Sequence, residues 1–424
     1  MAADAPRHAP RRPARGVVVS EGPLRVAVFA ESYLPYLSGV TVSTEALVRG
    51  LRTHGHEVLL VAPRPAAGAE PGTAGAPGPE PAYAWLPSYQ GPSPAPPGYR
   101  MPLPLPSDAL RRAREFAPHI VHAQSPFVSG LMGRRLAQRA GAPFVFTHHT
   151  RFGDYRHYLG PLARPGSAAV GAYLRDFWAG CAAIVAPGSE LAAEIRAALG
   201  DADAGGRVHV IPTGVDVAAI RGLAPADPRA ARGWPADTMV AVSVGRLAAE
   251  KSVALLVEAF ALAAARDPRL RLLLVGGGPA EAGLRERAEA PDLAGRVAIT
   301  GRLPRLEALA LARGADLFVF ASRTETQGLV LAEAIAAGLP VLAVAGPGVG
   351  DSVRDGMDGV VVPGGPDGEV ATRFADALTA LAADDARRRR LADAARAGAD
   401  RFDLGRRIGQ VVELYRGLRA TPDA

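Results

Sequence analysis

The chain has 424 residues, 48% hydrophobic and 21% charged, with a formal net charge of +6 at neutral pH, enough for two or three domains that each bury a substantial core. Aromatic residues make up 6% and do not interleave with basic ones as stacking platforms would, which argues against a nucleic-acid partner. The single cysteine, Cys181, lies in the apolar run to Val185, so it forms no internal disulfide, reads as a small buried thiol and fits a reducing cytoplasm.

Residues 1–22 are rich in Ala, Pro and Arg, which predicts a disordered basic tail rather than an export signal. Leu24 to Ala30 then reads as a buried strand, followed by a glycine turn at Gly39 and a helical pattern from Val40 to His54. A second strand is expected at Glu57 to Ala62. Residues 63–106 carry many prolines and glycines with little periodicity and are expected to form a long irregular insertion that leaves the domain core undisturbed. Strands at His119 to Ala123, Phe144 to His148, Ala183 to Ala186 and Val208 to Ile211 alternate with helices near 128–140, 163–179 and 190–199. That alternation predicts a doubly wound parallel sheet over 23–212.

Ile211-Pro212-Thr213-Gly214-Val215-Asp216, with the Pro- and Ala-rich stretch to Asp237, reads as an interdomain linker. A second alternating set follows, with strands at Val240 to Val244, Leu270 to Val275, Val297 to Thr300, Asp316 to Ala321, Val341 to Val344 and Gly359 to Val362. It predicts a second domain over 213–400. The fold class is thus α/β, two Rossmann-like doubly wound parallel-sheet domains facing across a cleft, with ligands outside the carboxyl ends of the strands. The last helical pattern, Leu404 to Leu418 within 401–424, is a candidate to leave the second domain and pack on the first.

Charge is unevenly divided. Through Pro212 there are 21 arginines against 15 acidic residues, leaving 27 basic and 27 acidic in the remainder. The basic half suits an anionic surface such as lipid headgroups, although arginines on solvated helix faces, 111, 112, 114, 134, 135 and 139, account for it equally. The longest apolar stretches, Val253 to Ala265 and Leu329 to Val344, are broken by Glu258, Glu333, Gly338 and Pro340, which is wrong for a bilayer span. A soluble or peripheral protein is expected.

Lys251 is the one lysine beside 47 arginines. It closes Gly245-Arg246-Leu247-Ala248-Ala249-Glu250-Lys251, directly after a predicted strand. An ammonium is a compact point charge and guanidinium a wide fork, so Lys251 and Arg246 can close on one diphosphate from different angles. The densest chemistry is Ser322-Arg323-Thr324-Glu325-Thr326-Gln327-Gly328-Leu329-Val330-Leu331-Ala332-Glu333, which follows an apolar strand and sets two carboxylates eight positions apart. With a helix expected to begin near Gln327, the main-chain N–H groups of Gln327, Gly328 and Leu329 are free to receive an anion or hydroxyl.

Three other patterns carry less. Gly276-Gly277-Gly278-Pro279 has Glu281 where a third glycine would complete the dinucleotide fingerprint, so no nicotinamide cofactor is expected. Asp201-Ala202-Asp203 reads as a surface turn rather than a metal site, and Arg387 to Arg390 as a solvated helix face.

These motifs together resemble the retaining GT-B glycosyltransferases of glycosyltransferase family four. The likeness runs from Leu24 to about Tyr415 and includes Gly39-Val40, Gly55-His56-Glu57-Val58, Val244-Gly245-Arg246-Leu247 with Lys251, and the Glu-x7-Glu segment. Thr324-Glu325-Thr326-Gln327-Gly328 and Thr147-His148-His149-Thr150, with Asp154 and Tyr155 after it, look especially like the bacterial diacylglycerol glycosyltransferases. The resemblance implies that Arg246 and Lys251 hold a nucleotide diphosphate, Glu325 contacts the donor sugar and Glu333 the ribose hydroxyls. It also implies that Gly39 and Val40, with Gln327, Gly328 and Leu329, complete the donor site. His149 would lie near sugar and acceptor, with Asp154 and Tyr155 on the acceptor side.

The implied activity is transfer of a hexose from a UDP- or GDP-linked donor to a hydroxyl, with the α configuration kept and neither metal nor further cofactor. A membrane lipid is the implied acceptor, met by a peripheral protein on the inner face of the plasma membrane. A soluble sugar or polysaccharide acceptor, a nucleotide-sugar epimerase and a non-catalytic nucleotide-sugar-binding protein are the alternatives. The base, the hexose and the oligomeric state stay open.

Overall fold

The computed structural model describes residues 22–66, 82–91, 98–151, 163–203 and 206–420. The expected tail, apart from Gly22, lies outside these residues, as do Asp154 and Tyr155.

The N-terminal sheet is built from β1 (Arg25–Phe29), β2 (Glu57–Pro63), β3 (Ala82–Leu86), β6 (Ile120–Ala123), β7 (Phe144–Thr147), β8 (Ala183–Ala186) and β9 (Val208–Val210). Its order is β3-β2-β1-β6-β7-β8-β9, with every pairing parallel. Alternation on β1 sends Ala27 and Phe29 into one core and Val26 and Val28 into the other, so both faces are buried. The expected irregular insertion needs correction. Part of it is β3, which extends the sheet beyond β2, and another part is a small antiparallel hairpin, β4 (Ser88–Gln90) with β5 (Arg100–Pro102). Tyr83-Ala84-Trp85-Leu86 has the period of a strand, with Ala84 and Leu86 fully buried, and the surrounding prolines masked that signal.

The C-terminal sheet comprises β10 (Met239–Val244), β11 (Leu270–Val275), β12 (Val297–Ile299), β13 (Leu317–Phe320), β14 (Val341–Val344) and β15 (Gly359–Val362), in the order β12-β11-β10-β13-β14-β15 and again parallel. Met239 and Ala241 face one core, Val240 and Val242 the other. In each sheet the winding reverses once, between β1 and β6 and between β10 and β13. The loops leaving those strands therefore diverge and open a crevice at each switch point.

The final helix, Leu404–Ala420, returns to the first domain. Ile408, Val411, Val412 and Tyr415 join the core that holds Leu47, Val48 and Leu51 of the helix Gly39–Thr53. Contact there is close enough that a Cβ on Gly50 would lie 2.4 Å from Ile408 Cγ1. The chain thus crosses between domains twice, side by side, with Val215 N donating to Phe402 O at 2.8 Å and Leu404 N to Val215 O at 3.0 Å. Tyr415 also meets the sheet's central strand, β6, its hydroxyl 2.5 Å from His122 Nδ1, while His122 Nε2 lies 2.7 Å from Thr147 Oγ1. Cys181 is buried, and burial pushes its thiol up to about 12. Asp201 to Asp203 form a short 3-10 turn, and Arg387 to Arg390 lie on the helix Asp385–Gly398 with Arg389 and Arg390 exposed.

Candidate active site

Because β10 and β13 are neighbours, the loops after Val244 and Phe320 leave the sheet side by side. Lys251 ends a 3-10 turn, Ala249–Lys251, and Ser252 after it adopts a left-handed φ of 51° that turns the chain into the next helix. Thr324 ties the loops together by donating to the Glu250 carbonyl at 2.8 Å. The outcome is a direct ion pair, Lys251 Nζ to Glu325 Oε1 at 2.6 Å, whose side chains retain 29% and 16% exposure. Two residues 74 positions apart in sequence are thus adjacent in the crevice.

Arg246 lies on the same loop, but its guanidinium rests on Glu250 Oε1 at 3.0 Å and is 46% exposed. It makes no described contact with Glu325. Gly276 and Gly278 let the β11 exit press against this loop, since a Cβ on Gly276 would lie 1.8 Å from Gly245 O and one on Gly278 2.3 Å from Leu247 O. Packing against the Arg246 loop explains these glycines.

The helix after Glu325 begins at Leu329, with Gly328 at its N-cap in the left-handed region at φ 71°, two residues later than expected from the sequence. The main-chain N–H groups of Gln327, Gly328 and Leu329 find no acceptor among the described hydrogen bonds, as is usual at a helix start. The Gln327 side chain does something the sequence did not indicate. It is buried and grips the interdomain linker, accepting from Thr213 N and donating to Thr213 O, both at 2.8 Å. Glu333, 7% exposed, projects from the second turn, and its Oε1 takes two contacts from Arg305, 3.0 Å from Nε and 2.5 Å from Nη2. Arg305 is a site residue missed in the sequence, since only the fold brings its helix, Arg305–Arg313, against this one.

The second domain's loop also touches the first. A Cβ on Gly188 would lie 2.3 Å from Thr326 O, and Ser189, at the start of the helix Ser189–Leu199, donates from N and Oγ to the two carboxylate oxygens of Asp351, both at 2.7 Å. On the facing sheet, Gly39 opens its helix behind a Ser38 and Thr41 capping box, and Val40 follows in the first turn. A Cβ on Gly39 would meet nothing within 4 Å. His149 follows β7, its Nε2 2.8 Å from Gln124 Oε1, and burial lowers its pKa to about 4. It makes no described hydrogen bond to Arg246, Lys251 or Glu325.

The described residues hold no cluster of three His, Cys, Asp or Glu side chains that would bind a metal, and none of their helices is long and apolar enough to cross a membrane.

A family model described as Glycosyltransferase Family 4 matches residues 37–219, and one described as Glycosyl transferases group 1 matches residues 227–398. An alpha-monoglucosyldiacylglycerol synthase of Streptococcus pneumoniae is 28% identical over 348 residues, 80% of this chain and 76% of its own. A D-inositol 3-phosphate glycosyltransferase of Xylanimonas cellulosilytica is 32% identical over 311 residues, 70% of this chain and 71% of its own. The solved structure of Anabaena HepE in complex with UDP superposes with a TM-score of 0.71 at 18% identity, covering 93% of this chain and all of that one.

Proposed function

The chain belongs to the family 4 glycosyltransferases, with their GT-B fold and their use of nucleotide sugars, and on that footing we propose that it is a retaining α-hexosyltransferase. Its donor is a UDP- or GDP-linked hexose, its acceptor the hydroxyl of a diacylglycerol-type lipid, and the reaction uses neither metal nor further cofactor.

The observation that carries this reading is the contact of Lys251 with Glu325 beside the N–H groups of Gly328 and Leu329. Breaking the anomeric bond moves negative charge onto the departing diphosphate. A fixed ammonium and a helix start lower the energy of that charge more in the transition state than in the bound donor. The guanidinium of Arg246, paired only at its rim, swings from Glu250 to the phosphates as a second cation. Glu325 then contacts the donor sugar while Glu333, held by Arg305, accepts from the ribose hydroxyls. Gly39 leaves room for the diphosphate against the first domain's backbone. His149, neutral at physiological pH, lies on the side where sugar and acceptor meet.

The lipid acceptor is supported by the Thr-Glu-Thr-Gln-Gly segment, the basic first half and the likeness to a diacylglycerol glucosyltransferase. A soluble acceptor is the second reading, favoured by the likeness to a protein named for inositol phosphate. Labelled UDP-glucose, UDP-galactose and GDP-mannose, each incubated with diacylglycerol micelles and analysed for product anomer, test the proposal. An α-glycolipid is expected. Label confined to water-soluble products rejects the lipid, and epimerisation of the donor without acceptor rejects transfer.

A further inference from the structure

Gln124 stands where β6 ends, at the carboxyl edge of the first sheet, and its main-chain N–H is fixed on Phe29 O at 2.8 Å. The neighbouring strand, β7, delivers His149 to the same edge. Gln124 is 3% exposed. Its Oε1 lies 2.8 Å from His149 Nε2, yet its own Nε2 is buried without a hydrogen-bond partner among the described residues. A fold rarely leaves an amide N–H buried and unpaired, and a ligand oxygen is one group that would pair it.

His149 has complementary spare capacity. A neutral imidazole carries one N–H, and an acceptor at Nε2 places that proton on Nε2, leaving a lone pair on Nδ1. Nδ1 makes no hydrogen bond among the described residues. Among the described residues, the titratable neighbours that sense His149 are His122 and His148, both held neutral by burial.

We propose that Gln124 is a positioning residue of the transfer site. Its carbonyl oxygen holds His149 as the Nε2–H tautomer, so that Nδ1 accepts a hydrogen bond from a substrate hydroxyl, and its unpaired amide N–H donates to a substrate oxygen. The inference rests on the transferase reading for the identity of the substrate, a hydroxyl-rich sugar or its acceptor. The tautomer itself does not depend on that reading.

The test uses the full chain labelled with 15N-histidine, with the His149 signal assigned by its loss in His149→Gln. Long-range 15N–1H correlation is expected to show Nε2 protonated and Nδ1 bare in the wild type, and a mixture of tautomers in Gln124→Leu. Donor kcat/KM in Gln124→Leu is expected to fall about tenfold or more, in the range of a misplaced reacting group. Gln124→Glu separates positioning from packing. The added carboxylate still accepts from Nε2 but raises the imidazole pKa, so Nδ1 becomes protonated and kcat/KM acquires an acid limb that the wild type lacks between pH 5.5 and 8. An Nδ1–H tautomer in the wild type, a folded Gln124→Leu within twofold of wild-type kcat/KM, or a flat Gln124→Glu profile would each overturn the proposal. If the wild type turns over no nucleotide sugar, the transferase reading fails instead, and the tautomer measurement still decides the role of Gln124.

Discussion

Replacing Lys251 with Met removes the chain's one lysine ammonium at nearly constant volume. Nζ lies 2.6 Å from Glu325 Oε1 with both side chains mostly shielded. At that separation and an effective dielectric of about 20, the gross attraction is about 6 kcal/mol. Desolvation of both groups cancels most of it, so the pair contributes about 1–2 kcal/mol to the fold. The catalytic loss is expected to be larger. A fixed donor aimed at developing charge is worth about 2–4 kcal/mol, or about 30-fold to about 900-fold in kcat/KM. The two readouts therefore separate, with a modest fall in denaturant midpoint and a fall of roughly two orders of magnitude in turnover of labelled donor. Lys251→Arg keeps the charge but spreads it over a planar fork, and is expected to recover less than about a tenth of the activity. Glu325→Gln combined with Lys251→Met should be strongly non-additive, because the two groups are in direct contact and, in the proposed reaction, act on one donor. A folded Lys251→Met within threefold of wild-type kcat/KM would refute the reasoning.

Gly39→Ala should leave the denaturant midpoint unchanged or raise it, since its Cβ would meet no atom within 4 Å and Ala is favoured in a helix by about 0.5–1 kcal/mol. Transfer should nonetheless fall about tenfold or more if the diphosphate packs on that backbone, and unchanged kinetics would remove Gly39 from the donor site. Arg305→Ala leaves the buried Glu333 carboxylate without its cation and should weaken UDP binding about tenfold, with partial rescue by Arg305→Lys. Calorimetry with UDP and its 2′,3′-dideoxy analogue checks this, because Glu333→Gln should bind the two alike if that carboxylate reads the ribose. Burial holds His122 and His148 at about 3, below the 6.5 of an unfolded chain. Between those values the unfolded state binds more protons, so stability is present above pH 6.5 and is lost as pH falls towards 3. Unfolding free energies from urea titrations at pH 7 and pH 5.5 should differ by about 2.5 kcal/mol from these two residues together, and equal values would contradict their buried, neutral state.

The strands were legible because burial on both faces demands β-branched and aliphatic runs, as in Val341 to Val344, and because helices of different period separate them. The site was legible to the same depth. A lysine after one strand and a glutamate after another mark the ends of two strands, but the sequence does not state that those strands are neighbours. The order β10-β13 supplies that, and with it the 2.6 Å contact. Residues whose role depends on a partner far along the chain gave no signal. Arg305 is one of 47 arginines until its helix meets Glu333, and His122 is an ordinary strand residue until Tyr415 arrives from 293 positions away.

Gly188 shows how the same logic joins the two halves. It follows β8 as an unremarkable helix cap, and nothing local requires it, for its φ of −142° suits any residue. Its requirement comes from the other domain, because Thr326 O occupies the space a side chain would need and the Asp351 carboxylate lies 3.0 Å from the same point. Thr326 directly follows Glu325, and Asp351 holds the first helix donors of the opposite domain. The position of the Glu325 loop is therefore set jointly. Lys251 and Thr324 hold it from its own domain, Gln327 anchors it to the linker, and Gly188 meets it from the first domain. A loop fixed on three sides holds Glu325 and the Leu329 helix start in place, which is the preorganisation that the proposed charge stabilisation at a departing diphosphate demands.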